Sequence, residues 1–171
     1  IFLKVFINTF SNAGNDTILD ICILDNPVDL FAQIPGTPDI GGVWKDDIGN
    51  STNSNFDPAI QVSGSYYYIT SSLAPCPNDS ANVNVNVISA PDAGIPGYVE
   101  VCYGESTFDL FSHLGGTPQN IGTWANSNGD PVSADFDPLL QSSEIFTYTV
   151  TGLTPCPSAS ADVKVVVNPL P

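Results

Sequence analysis

The chain reads as all-β, a tandem pair of immunoglobulin-like β-sandwich repeats of about 80 residues each, and three observations carry that reading. Sliding the sequence along itself by about 80 residues makes about 28 positions identical without a gap. Short apolar–polar alternations recur between clusters of Gly, Pro, Asn and Asp, the pattern of half-buried strands separated by turns. No segment sustains the periodicity of a long amphipathic helix.

Taken in order, Leu19, Ile21 and Ile23 alternate with Asp20 and Cys22, and Val99, Val101 and Tyr103 match them in the second copy. Leu30, Phe31 and Ile34 supply one short helical turn and nothing longer. Tyr66, Tyr68 and Thr70 alternate in a later strand, with Phe146, Tyr148 and Val150 as counterparts. Val83, Val85 and Val87 interleave with Asn82, Asn84 and Asn86, which reads as a strand with one wet face. Pro35-Gly36-Thr37-Pro38, Gly49-Asn50-Ser51 and Pro75-Cys76-Pro77-Asn78 punctuate these runs as turns. The large apolar residues that recur in both copies are the expected core: Trp44 and Trp124, Tyr68 and Tyr148, Phe56 and Phe136.

The same offset sets the domain limits. Leu3, Val5 and Ile7 fall on Val83, Val85 and Val87, so residues 1–10 read as the last strand of a preceding repeat. Residues 11–90 form repeat 1 and residues 91–171 repeat 2, with Asn168-Pro169-Leu170-Pro171 in linker style. The expectation is a segment of a longer tandem array. In a rival reading, residues 1–7 are a donor strand completing a neighbouring subunit, which would make the chain a filament subunit.

Charge narrows the partners. Three Lys+Arg stand against 18 Asp+Glu, a formal net charge of −15. A nucleic-acid reader needs the opposite sign to displace phosphate counterions, and so does a protein docking on an anionic membrane. No uncharged apolar run is long enough to insert into a membrane as a helix. Hydrophobic content of 42% is too high for a disordered acidic tail.

Two cysteines fall in each copy at matching positions: Cys22 and Cys76, then Cys102 and Cys156. Four cysteines permit three pairings. Repeat symmetry favours Cys22–Cys76 and Cys102–Cys156, each tying an early strand to a Pro-Cys-Pro turn. The alternatives are buried free thiols or a metal site, the latter starved of ligands by a single histidine. Disulfides imply an oxidising, extracellular setting.

The search for catalysis is nearly empty, and the chain reads as no enzyme. It lacks a nucleophile elbow, a zinc-protease helix motif, a phosphate loop and a dinucleotide fingerprint. His113 replaces Gln33 of the first copy and reads as a surface residue. The acid pairs Asp46–Asp47 and Asp135–Asp137 are not fully repeated and sit in turn-rich sequence, where Asp caps its own backbone. No cofactor is expected, with calcium the one alternative: Asp92 near the junction and Asp16, beside Asn12 and Asn15, could supply oxygen ligands. Tyr67 should face away from Tyr66 and Tyr68, so it is the candidate for stacking on a sugar.

The repeated string of Cys, Asp-Leu-Phe, Gly-Thr-Pro, Gly-x-Trp, Phe-Asp-Pro, Pro-Cys-Pro and Val-x-Val-x-Val resembles the Ig-like repeats of giant cell-surface adhesins of gliding Bacteroidota. Those proteins are exported by the type IX secretion system. The resemblance covers essentially the whole chain, with Val43 in the first copy departing from the Thr123 of the second. It implies a non-enzymatic structural or spacer module of a long extracellular adhesin or filament at the cell surface, serving attachment and gliding motility. Its partners would be neighbouring repeats, and surface glycans or other cell-surface proteins. The competing class is a glycan- or protein-binding Ig-like module. Asp16-Thr17-Ile18 and Asp79-Ser80-Ala81 match the O-glycosylation acceptor pattern of that phylum, which would make Thr17 and Ser80 modified residues of a glycoprotein. Asn15, Asn50 and Asn78 also open Asn-x-Ser/Thr triplets, relevant in a eukaryotic source.

Overall fold

A computed structural model describes residues 8–170. The chain divides into two compact units, Ile1–Ile88 and Ser89–Pro171. In the first, β1 (Thr17–Cys22) and β2 (Val28–Asp29) precede a 3₁₀ turn, Leu30–Gln33, and are followed by β3 (Val43–Lys45), β4 (Ser51–Thr52), β5 (Asn55–Phe56), β6 (Gly64–Thr70) and β7 (Asp79–Ile88). The second repeats this as β8 (Gly97–Cys102), β9 (Phe108–Asp109), a 3₁₀ turn at Leu110–His113, β10 (Thr123–Ala125), β11 (Pro131–Val132), β12 (Asp135–Phe136), β13 (Glu144–Val150) and β14 (Ala159–Asn168).

Each unit is a sandwich of a large and a small sheet. In the first, the order β1-β7-β6-β3-β4 faces the pair β2-β5; in the second, β8-β14-β13-β10-β11 faces β9-β12. The outermost long strand is the unusual element. β1 runs parallel to β7, from Thr17 opposite Val83 to Cys22 opposite Ile88. β8 does the same against β14, from Gly97 opposite Val163 to Cys102 opposite Asn168. Both first strands stop at the cysteine, so Ile23 and Tyr103 lie beyond the alternation expected of them.

The alternation explains which side chains turn inward. Ala81, Val83 and Val85 are buried along β7, with Tyr66, Tyr68 and Thr70 along β6, while Tyr67 faces out. Phe146, Tyr148 and Val150 repeat the inward face in β13. Each unit closes its own core, the first around Leu30, Trp44, Phe56 and Tyr68, the second around Leu110, Trp124, Phe136 and Tyr148. The repeated Asp-Leu-Phe forms the 3₁₀ turn because Asp29 Oδ1 accepts from the Phe31 amide at 3.1 Å, and Asp109 Oδ1 from Phe111 at 2.9 Å. These carboxylates satisfy turn donors that would otherwise be orphaned, while Leu30 and Leu110 drop into the cores. The strand expected over residues 1–10 lies, for its first seven residues, outside the described ones; Asn8, Thr9 and Phe10 are irregular.

Candidate functional site

The repeated aromatic residues converge on one tyrosine per unit. Tyr68 Oη accepts from the Gly42 amide at 2.8 Å and donates to the Asp39 carbonyl at 2.7 Å. In the second unit Tyr148 Oη accepts from Gly122 at 2.7 Å and donates to Gln119 at 2.6 Å. The hydroxyl thus uses both its donor and its acceptor on the loop that precedes the Trp strand. The ring is held by Phe31 edge-on at 5.1 Å and Trp44 at 5.3 Å; Phe111 and Trp124 hold Tyr148 at 5.3 and 5.0 Å. Glycine in Gly-x-Trp follows from this packing. A Cβ on Gly42 would lie 2.6 Å from Tyr68 Cζ and from the Ile69 carbonyl, and one on Gly122 would lie 2.5 Å from Tyr148 Cζ and from the Thr149 carbonyl. This cradle was not read from the sequence, although Gly and Tyr keep one spacing in both copies.

Phe56 and Phe136 are fully buried, edge-on to Tyr66 at 5.3 Å and to Phe146 at 5.5 Å. The Asp-Pro that follows each of them makes a turn. Asp57 Oδ1 accepts from Ala59 at 3.0 Å while the Asp57 amide donates to Gln61 Oε1 at 2.7 Å, and Asp137 repeats both bonds with Leu139 and Gln141.

Among the acids singled out for catalysis or calcium, Asp46, Asp137, Asp16 and Asp92 accept hydrogen bonds from backbone amides. Asp46 Oδ1 accepts from Asn50 at 2.7 Å and Ile48 at 3.2 Å, closing the β3–β4 hairpin. Asp16 Oδ1 accepts from the Asn82 amide at 2.8 Å, and Asp92 Oδ1 from the Gly94 amide at 2.8 Å. Among the described residues no three His, Cys, Asp or Glu side chains gather as a metal site. His113 is half-buried, its ring edge-on to Phe108 at 5.0 Å.

The cysteines require a correction. Cys22 and Cys156 are each disulfide-bonded, whereas Cys76 and Cys102 are free thiols. The bridges expected within a repeat, Cys22–Cys76 and Cys102–Cys156, are therefore absent, and the fold shows why. Cys22 faces Ile88 at the end of β7, but Cys76 precedes Asp79 at its start. Ten residues of strand separate those ends, about 30 Å at 3.3 Å per residue, against the roughly 6 Å a disulfide spans between Cα atoms. The ten residues of β14 hold Cys102 and Cys156 apart in the same way. Environment differs as well: Cys22 and Cys156 are buried, Cys76 is half-buried and Cys102 exposed.

Outside the cores, Tyr67 stands on the wet face of the large sheet, between Lys45 on β3 and Asn82 on β7. Thr17 is half-buried at the start of β1, and Ser80 is exposed on β7. In the second unit Tyr103, Leu139, Leu140, Val167, Pro169 and Leu170 line an open apolar cleft of about 500 Å³ beside Cys102. Among the described residues no helix is long and apolar enough to cross a membrane.

No known family's sequence profile matches the chain, and no curated protein matches it. Solved structures do. Titin domains I67–I69, in an E-to-A variant, align with TM-score 0.51 at 13% identity over 96% of this chain and 67% of that one. The four N-terminal Ig domains of Dscam1 isoform 6.9 align with TM-score 0.50 at 14% identity over 98% and 48%. Extracellular domains 3–5 of Drosophila OTK align with TM-score 0.51 at 15% identity over 95% and 62%. The chain spans about half to two thirds of the length of these structures. Likeness at this identity shows the fold, an immunoglobulin-like β-sandwich, and nothing finer.

Proposed function

We propose that the chain is a non-enzymatic structural module of a long extracellular adhesin or filament at the cell surface, carrying tension during surface attachment and gliding. The observation that carries this reading is the parallel pairing of the first and last strands of each unit. Parallel strands point the same way, so pulling the chain backward from Thr17 and forward from Ile88 slides β1 against β7. All six residue pairs of that ladder are then loaded together in shear, and β8 on β14 repeats the arrangement. An antiparallel hairpin pulled from its open end instead loses its bonds one pair at a time.

Other features agree with such a role. The two bonded cysteines belong to an oxidising, extracellular setting. A net charge of −15 opposes side-by-side collapse of neighbouring modules. Resemblance to repeats of Bacteroidota gliding adhesins supports type IX export and O-glycosylation, for which exposed Ser80 is better placed than half-buried Thr17. A second reading, a glycan- or protein-binding module, has Tyr67 in its favour, an outward tyrosine flanked by Lys45 and Asn82.

Direction of pulling separates a load-carrying ladder from an incidental one. Handles attached through the termini should give a higher rupture force per unit than handles that peel β6 from β7 starting at the Gly64 end. The two antiparallel strands pair there as Gly64 with Val85. Equal forces in the two geometries would refute the tension-bearing reading.

A further inference from the structure

We propose that the first unit carries a binding pocket for a neutral hexopyranose, at the end of its sandwich where β6 runs into the loop before β7. Phe10, Ser11, Asp39, Ser71, Ser72 and Leu73 line an open cavity there of about 390 Å³, a volume within the range of small-ligand sites. All of them belong to the first unit. The walls are held before any ligand arrives. The Ser11 amide donates to Ser72 Oγ at 2.9 Å, the two hydroxyl oxygens lie 2.8 Å apart, and the Ser72 amide donates to Asn78 Oδ1 at 3.1 Å. Asn8 Nδ2 donates to the Ala74 carbonyl at 2.8 Å and ties the same two stretches of chain. Phe10 is 73% exposed and Leu73 74%, so two apolar side chains border an otherwise polar hollow.

The chemistry selects the ligand. A pyranose offers C–H groups on its face to an aromatic ring, and hydroxyls on its edge to acceptors. Phe10 supplies the ring. Asp39 supplies the acceptor: its Oδ2 takes the Asn12 amide at 2.8 Å, and its Oδ1 is left for ligand hydroxyls. An ionised acceptor makes hydrogen bonds roughly twice as strong as a neutral one. Ser71 adds a hydroxyl able to donate or accept. Among the described residues none that lines the cavity is cationic, so a charged acid group on the sugar would meet Asp39 unpaired. The second unit shows that the fold does not require these groups. It has Ala90 for Phe10, Pro91 for Ser11, Gln119 for Asp39 and Gly152 for Ser72. Its turn persists without the carboxylate: Gln119 Oε1 accepts from the Asp92 amide at 3.2 Å, and Tyr148 donates to the Gln119 carbonyl. The negative charge, the exposed ring and the paired serines are additions of the first unit to a shared frame. Tyr67 takes no part in the pocket, which goes beyond the load-bearing role and does not depend on it.

The test is amide-correlation NMR of the intact chain, titrated with the methyl α-glycosides of glucose, mannose and galactose, and with glucuronate as the anionic probe. At least one hexoside should shift the amides of Asp39, Ser71 and Ser72 saturably, with a Kd on the order of 1 mM for so small a ligand. Glucuronate should leave them in place. Asp39→Asn can still accept from the Asn12 amide, as Gln119 does from Asp92, and should weaken hexoside binding about tenfold. Phe10→Ala, at an exposed position, should weaken it about fivefold. No saturable shift with any hexoside, shifts centred on other residues, equal binding of glucuronate, or full affinity in Asp39→Asn would overturn the pocket. None of these outcomes touches the rupture force of the parallel ladder, so the two readings fail separately.

Discussion

Replacing Gly122 with alanine should lower the unfolding free energy of the second unit by about 3 kcal/mol. The new methyl would meet Tyr148 Cζ and the Thr149 carbonyl at 2.5 Å, where neither neighbour has room to yield. Tyr148 is nearly fully buried between Phe111 and Trp124, and the Thr149 carbonyl belongs to β13. Relief therefore requires moving the Tyr148 ring, which breaks the bond its hydroxyl accepts from the Gly122 amide and the one it donates to the Gln119 carbonyl. Overpacking costs about 1–3 kcal/mol, and losing two partly buried hydrogen bonds adds about 1 kcal/mol. For a unit of this size the midpoint should fall on the order of 15 °C. Hydrogen exchange in the presence of reductant checks it by location: peptides from β13 and β14 should lose protection while those from β6 and β7 keep theirs. Combining Gly122→Ala with Tyr148→Phe should cost less than the sum of the two changes, because both act on one contact. Unchanged protection in β13 would mean that the glycine is not held against the ring.

Phe56→Ala should destabilise the first unit by about 4 kcal/mol, the scale of a fully buried phenylalanine removed without collapse of its cavity. Phe56 has no exposed surface, packs edge-on against Tyr66, and pairs with Val28 in the small sheet. Losing it detaches the small sheet from the large one at their central contact. Small domains hold only about 5–15 kcal/mol in total, so the change should bring the first unit close to unfolding. Phe56→Leu keeps most of the volume and should cost much less. Exchange protection in β6 and β7 reports the loss; a comparable loss in β13 and β14 would contradict the separate cores.

Much of this architecture was legible because it rests on local rules. Alternation in β6 put Tyr66 and Tyr68 inside and Tyr67 outside, which a two-residue period dictates once one face is buried. The single helical turn read from Leu30, Phe31 and Ile34 is equally local, since the Asp29 carboxylate reaches the amide two residues on. The cysteine pairing was not legible in that way. Symmetry between repeats favours pairing within each copy, yet Cys76 and Cys102 are thiols. What decides is a distance: β1 lies parallel to β7, so Cys22 stands at the far end of a ten-residue strand from Cys76. Parallel pairing of first and last strands has no signature in either strand alone. The tyrosine cradle stayed hidden for a related reason. It joins Gly42 to Tyr68 across a hairpin, and only the fold brings the glycine under the ring.

One measurement bears on the whole account: single-molecule extension of the chain from its two termini, in reductant so that no disulfide shortens the path. Two rupture events of similar size are expected, each releasing about 80 residues, on the order of 25 nm of contour length. Both should be sharp, since each unit gives way when its terminal parallel ladder shears as a whole. A single event releasing the entire length, or smooth extension without a force peak, would contradict two self-contained sandwiches built to bear load.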